Sequence, residues 1–350
     1  MKTKMLGLVA CALLFQNCSK VGENVSDVNG AGKQTASALA SCYTNPLDTS
    51  SLGTGGDPFC MKYNGTYYMY RPLDNTVVYN TSTDLINWTA TQTVSFANGP
   101  SSGIWAPEVH QIGSTFYLVY ANPNGVSGGR DIMVCKMSSP TSCGTNSPVN
   151  IVGSNTAEIC IDPSVYEENG HYYLIWKNVG TGTGDHSRIR IRELNAANAT
   201  QFASGSSQSV IFPDISTNPL NKEHPFILRE GYTSGGVNKF RYYLFFDSGQ
   251  GDTQDYKVEY ATSSSLLGTY TYKGTLMSKN TNRGIYSIGG HSVVRDGSNY
   301  RWMVYRGKSA PDDGWDGRRP RIDRLRIDAL NNTADCEATT TQSAYCPAPL

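Results

Sequence analysis

The chain has 350 residues, equal numbers of basic and acidic side chains (29 each), 17% charged residues, 22 Tyr and 35 Gly. Balanced charge without a basic run lacks the electrostatic footprint that nucleic acid requires, so the partner is neutral or weakly charged. The Gly and Tyr content points to a turn-rich, mostly β protein.

The chain opens on "MKTKMLGLVACALLFQNCSK", in which Lys2 and Lys4 precede an apolar run from Met5 to Phe15 and then Cys18. The run is too short to span a bilayer and reads as a secretory signal over residues 1–18. Its end resembles a bacterial lipoprotein processing site in which Cys18 becomes the lipidated first residue, although Phe15, Gln16 and Asn17 replace the usual small residues. Ordinary cleavage and secretion is the alternative. Residues 19–41 are polar and read as a flexible tether. The expectation is an exported protein of the outer membrane, cell surface or periplasm, touching the membrane only through a lipid anchor.

Residues 42–350 read as one domain. A strand of paired aromatics recurs along it: "NGTYYMY" (64–70), "GSTFYLVYA" (113–121), "NGHYYLIWKN" (169–178), "NKFRYYLFFD" (238–247) and "GSNYRWMVYRG" (297–307). Ahead of these lie "DPFCMKY", "APEVHQI", "DPSVYEE", "EHPFILRE" and "HSVVRD", and behind them come further strand-like runs. The fourth unit carries an insertion, "GYTSGGVN", expected to wall one end of a pocket. Units of up to four antiparallel strands that cannot bury both faces alone must stack, which predicts an all-β, five-bladed β-propeller. The first strand of each blade lines the axis, so Asp57, Glu108, Asp162, Glu223 and His291 are expected at one end of the tunnel. So many ionisable groups in one place are costly unless chemistry needs them.

Seven cysteines follow Cys18. Cys135 with Cys143 and Cys336 with Cys346 are close enough in sequence to clip local loops, Cys60 and Cys160 read as small buried hydrophobes, and the odd count leaves at least one unpaired or paired between chains. No Cys-x-x-Cys pair or His-Glu-x-x-His helix indicates zinc. "GTGTGD" (180–185) precedes no helix and reads as a mobile loop, and "DDGWDGRRPRID" (312–323) departs from a calcium loop at Gly314 and Asp323 and reads as a turn.

The ordered set "GGDPFCMKYNGTYY", "GIWAPEVHQIGSTFYLVYA", "CIDPSVYEENGHYYLIWK", "KEHPFILRE", "GGHSVVRDGSNYRWMVYRG" and "GRRPRIDRL" resembles the arabinanases, arabinofuranosidases and xylosidases of glycoside hydrolase family 43. The resemblance implies an inverting hydrolase of oligo- or polysaccharides containing arabinose or xylose, with Asp57 as general base, Glu223 as general acid, and Asp162 tuning and orienting the acid. That division suits the chemistry, since inversion requires one carboxylate to activate water and one carboxyl to protonate the leaving oxygen. An α-L-arabinofuranosidase is the first choice, with endo-arabinanase, β-xylosidase and galactan exo-hydrolase as alternatives. Phe59, Trp105 and Trp176 are candidate sugar platforms, each equally readable as blade packing. Glu108 is a candidate hydroxyl contact or ion-pair partner. The family usually follows the acid with Gly-Pro, whereas Glu223 is followed by His224-Pro225, which makes His224 a substrate-contact candidate. The resemblance also places His291 where many members face a metal, often calcium; hydrogen bonding without a metal is the alternative, and no cofactor is required. The sucrose and fructan hydrolases share the fold but open on Asn-Asp-Pro-Asn-Gly, unlike the surroundings of Asp57. A non-catalytic sugar-binding propeller would repeat its binding residue in every blade, and these blades differ. The chain is read as a monomer.

Overall fold

The computed structural model describes residues 42–350 except position 74 and segments 100–102, 154–156, 180–186, 213–221 and 343–345. The expected signal, Cys18 and the expected tether lie outside the described residues, as does the glycine-rich segment 180–185. The chain forms a β-propeller of five four-stranded antiparallel meanders. Their innermost strands are Phe59–Tyr63, Trp105–Ile112, Ile159–Glu168, Lys222–Ser234 and Tyr286–Arg295, which open blades 1 to 5. The sheets of blades 2 and 3 are joined by a single parallel bridge, Ile159 to Arg130. Each innermost strand touches those of the two adjacent blades, and the fifth touches the first, so the ring is closed.

The second strand of each blade explains the aromatic runs. In blade 1, Tyr67 and Met69 pack with Trp302 and Val304 of blade 5, while Tyr70 packs with Val109 and Leu118 of blade 2. In blade 4, Leu244 and Phe246 face blade 3, and Tyr243 and Phe245 face blade 5. Successive strand residues point to opposite faces, and here a neighbouring blade covers each face. Five buried clusters result, one at every blade interface. Each fully buried large side chain in them contributes about 1.5–3 kcal/mol. The hairpins Asn64-Gly65 and Asn169-Gly170 have positive φ at both residues, which is why Asn-Gly pairs sit there.

The N-terminal segment seals the ring. Tyr43–Thr44 pairs with Thr341–Gln342, and Cys42 is disulfide-bonded to Cys346 across 304 residues. Buried Asp323 of blade 5 accepts hydrogen bonds from Tyr43 Oη (3.2 Å), Asn45 Nδ2 (3.1 Å) and Tyr305 Oη (2.7 Å), tying the same segment to the last blade. Two sequence expectations are thereby corrected. Cys346 joins Cys42 instead of Cys336, which is a buried free thiol. Cys135 and Cys143 lie together in the cluster between blades 1 and 2 as free thiols without a bridge. The "GYTSGGVN" insertion lengthens the hairpin Lys222–Ser234 and Val237–Ser248 at the end of its strands away from Glu223, so it does not wall the cavity that holds Glu223.

Candidate active site

Near its start, each innermost strand has a residue forced into the left-handed region, Asp57 (φ 53°), Ala106 (φ 43°), Asp162 (φ 54°), His224 (φ 51°) and Gly290 (φ 55°), and the fifth has a second, Ser287 (φ 52°). The first four precede a proline. In blades 2 to 5 the ladder with the second strand slips beside this residue, as a bulge does, which re-aims the side chain. Non-glycine residues in this region cost about 1–2 kcal/mol each, and such strain collects where function requires an orientation.

These kinks define the true equivalence between blades. Asp57 and Asp162 sit on their kinks, but Glu223 lies one residue before His224, His291 one after Gly290, and Glu108 two after Ala106. The expected ring of five ionisable groups is therefore corrected. Asp57, Asp162, Glu223 and His224 line one cavity of about 670 Å³ at the end of the tunnel, together with Trp105. Glu108 is buried and holds His110 Nε2 at 2.7 Å, and Phe59 is buried against the same imidazole, ring centres 4.7 Å apart. Trp176 is buried in the core between blades 2 and 3. Strand alternation turns Trp176 into that core and sends its neighbour Lys177 into the cavity.

Asp57 is ringed by cations. Its Oδ1 lies 3.7 Å from Arg306 Nε, 3.9 Å from His224 Nε2 and 4.0 Å from Arg318 Nη1. Burial alone would push the Asp57 carboxyl upward, but His224, Arg318 and Arg306 outweigh it and hold the group below its ordinary value, ionised at neutral pH. Arg306 is held in place by donating from Nη1 to the Ser287 carbonyl (2.9 Å) and hydroxyl (2.8 Å). Gly290 lets Asp57 approach, because a Cβ there would stand 2.5 Å from Asp57 Oδ1.

Glu223 has other partners. Oε1 is 2.6 Å from Tyr256 Oη and Oε2 accepts from Lys177 Nζ at 2.8 Å. Tyr256 Oη is also 3.1 Å from Oδ2 of Asp247, which accepts the Gly290 amide at 2.5 Å, while Asp247 Oδ1 meets His291 Nδ1 at 2.8 Å. Burial, then Asp247 and Glu223, push the Tyr256 phenol well above its usual range, so it keeps its proton. Asp162, expected beside Glu223, turns to His224 instead: its Oδ2 accepts the His224 amide at 3.1 Å and lies 3.3 Å from the ring Nδ1.

His291 is fully buried, and its Nε2 has no protein partner. Among the described residues no group of three or more His, Cys, Asp or Glu side chains could hold a metal. Toward an ion on the axis the described residues offer the one free imidazole nitrogen of His291, so the oxygen ligands that calcium takes would have to come from water. At the cavity mouth, Trp105 and Trp315 are 45% and 51% exposed, enough to offer a ring face to a sugar. Arg130 stacks on Trp105 and Arg318 on Trp315. Sequence reasoning missed Trp315, Lys177, Asp247, Tyr256 and Arg306. For three of them a signal was present: Lys177, Asp247 and Arg306 are charged residues ending apolar strands, the same anomaly that marks Asp57.

A family model described as Glycosyl hydrolases family 43 matches residues 43–331. The chain belongs to this family. Curated relatives include an arabinoxylan arabinofuranohydrolase of Paenibacillus polymyxa, 26% identical over 337 residues (81% of this chain, 49% of that protein). A protein of the same name from Bacillus subtilis is 26% identical over 275 residues (66% of this chain, 51% of that protein). The chain thus spans about half the length of the curated relatives it matches. Among solved structures, a thermostable family-43 glycoside hydrolase superposes with a TM-score of 0.71 at 21% identity, covering 88% of this chain and 99% of that one. An α-L-arabinofuranosidase from Lactobacillus brevis gives 0.68 at 18% identity, covering 87% and 98%. At such identities the structural likeness speaks for the fold. Against the family-43 pattern of Gly-Pro after the acid, the φ of 51° at His224 explains why glycine is usual there.

Proposed function

We propose that the protein is an inverting glycoside hydrolase that removes α-L-arabinofuranosyl units from arabinose- and xylose-containing plant polysaccharides. The observation that carries the reading is one cavity holding a carboxylate kept ionised, Asp57, and a carboxyl in a different setting, Glu223. Asp57 takes a proton from water as the water oxygen bonds to the anomeric carbon. The glycosidic bond breaks on the opposite face, and Glu223 gives the leaving oxygen its proton. Donor counting supports the acid role. Tyr256 has one proton for two carboxyl contacts, and donating it to Asp247 leaves the contact at Oε1 for a proton carried by Glu223. Lys177 then donates to the other oxygen, Oε2. Trp105 and Trp315 supply apolar faces for sugar rings. The reaction needs water, a base and an acid and calls for no cofactor.

The names of the curated relatives favour arabinofuranose as the released sugar. Product analysis on arabinoxylan, branched arabinan, linear arabinan and aryl glycosides tests this. Free arabinose from arabinoxylan is expected; mixed oligosaccharides from linear arabinan would make the enzyme an endo-arabinanase, and free xylose a xylosidase. We also propose that the protein is exported and anchored through Cys18, supported by Lys2, Lys4, the apolar run and a Cys42–Cys346 disulfide that suits an oxidising compartment. Detergent-phase partitioning lost in Cys18→Ala is expected; a freely soluble parent protein would refute the anchor.

A further inference from the structure

His224 occupies a position where the left-handed backbone favours glycine, and its ring extends into the cavity. There it meets a carboxylate from each of three blades: Asp162 of blade 3 (3.3 Å from Nδ1), Asp247 of blade 4 (3.8 Å from Nδ1) and Asp57 of blade 1 (3.9 Å from Nε2). The Asp162 oxygen that faces the ring also accepts the His224 amide, so backbone and side chain grip one carboxylate oxygen. Around this cluster stand Arg306 and Arg318 of blade 5, beyond Asp57, and Arg130 of blade 2, whose charge acts on Asp162. Glu223 on the same strand is engaged by Lys177 and Tyr256. His291 lies on the far side of Asp247.

We infer that His224 is a positioning residue for the base: clamped on Asp162, its ring stands as a fixed cation behind Asp57, and Asp162 therefore serves the base through His224 instead of serving the acid. The inference rests on the proposed assignment of Asp57 and gives Asp162 a different task from the one its family resemblance implies. Burial alone would disfavour the charged ring, but Asp162, Asp57 and Asp247 together push His224 up to about 10, so it is an imidazolium throughout the neutral range. A Gly here, the usual family residue, would relieve the backbone strain but leave Asp57 with only its two arginines.

The test is the pH dependence of kcat/KM on 4-nitrophenyl α-L-arabinofuranoside for the full protein, His224→Gly, His224→Gln, Asp162→Asn and the His224→Gly/Asp162→Asn double variant. Loss of a cation within about 4–6 Å of a carboxylate raises its pKa by about one unit or more. The acidic limb is therefore expected to move up by about one pH unit in His224→Gly and His224→Gln, and less in Asp162→Asn. The double variant should move no further than His224→Gly. An acidic limb that stays put in both His224 variants, or shifts that add in the double variant, would overturn the inference. Ring NMR of His224 gives a readout independent of turnover. The ring should remain protonated above pH 8 in the parent protein and titrate at lower pH in Asp162→Asn. Ordinary titration near pH 6.5 in the parent protein would sink the clamp. A charged ring in a protein that hydrolyses no arabinoside would instead sink the substrate assignment alone.

Discussion

Tyr256→Phe removes a single hydroxyl from the centre of the site and keeps the ring that fills the space beside Gly289, where a Cβ would stand 2.2 Å from it. The hydroxyl contacts Glu223 at 2.6 Å and Asp247 at 3.1 Å. Hydrogen bonds to charged groups are worth about 1.5–3 kcal/mol each. If the contact with Glu223 helps hold the proton that the acid delivers, its loss should cost about 1.5–3 kcal/mol in the step that uses that proton, or about 10- to 150-fold in kcat. The loss should depend on the leaving group. A 4-nitrophenolate departs with little protonation and should be slowed less than about threefold, whereas methyl arabinofuranoside or arabinoxylan should show the full loss. Steady-state kinetics on a series of aryl and alkyl arabinofuranosides reads this directly as a steeper dependence on leaving-group acidity. Equal losses on good and poor leaving groups, or none on either, would refute the proton-holding role of Tyr256.

Gly290→Ala places a Cβ 2.5 Å from Asp57 Oδ1 at a φ of 55°. It should lower the melting temperature through about 1–2 kcal/mol of strain and cut kcat about 100-fold by displacing the base; a kcat within twofold of the parent protein would contradict the geometry. The raised value of about 10 at His224, above its unfolded value of 6.5, means that its ion pairs stabilise the fold fully below pH 6.5 and are lost as pH rises through 10. Compared with His224→Gly, the parent protein should therefore lose stability on the order of a few kcal/mol between those limits in chemical denaturation; parallel profiles would exclude the linkage. Prolonged chelation should leave the melting temperature unchanged, since the described residues offer an ion beside His291 a single imidazole nitrogen; a drop reversed by calcium would show an ion bound there.

The blade repeat was legible because every second strand buries both faces, which forces unbroken aromatic and aliphatic runs such as "YYLFFD". Asp57 and Asp162, each beside a proline, and Glu223, one residue further from its proline, were legible because a carboxylate at the start of an apolar strand lacks a packing reason. The register of the axis was not. A kink in each blade shifts which residue faces the cavity, and only the backbone shows that Glu108 lies two positions past Ala106 and His291 one past Gly290. Trp105 and Trp176 look alike in sequence, yet strand alternation exposes one at the mouth and buries the other. Partners of the acid and base just ahead of third strands, Tyr256 and Arg318, depend on long-range packing that no local pattern encodes. The disulfide was missed for the same reason, because ring closure brings Cys42 and Cys346 together from opposite ends of the propeller.

The account stands on Asp57 acting as a base toward water and not as a nucleophile. Proton NMR of an α-L-arabinofuranoside digest, recorded in the first minutes before the sugar mutarotates, observes this directly. A single displacement predicts that β-L-arabinofuranose appears first and the α-anomer grows in later. First appearance of the α-anomer would show a retained configuration, make Asp57 a nucleophile, and contradict the proposed mechanism.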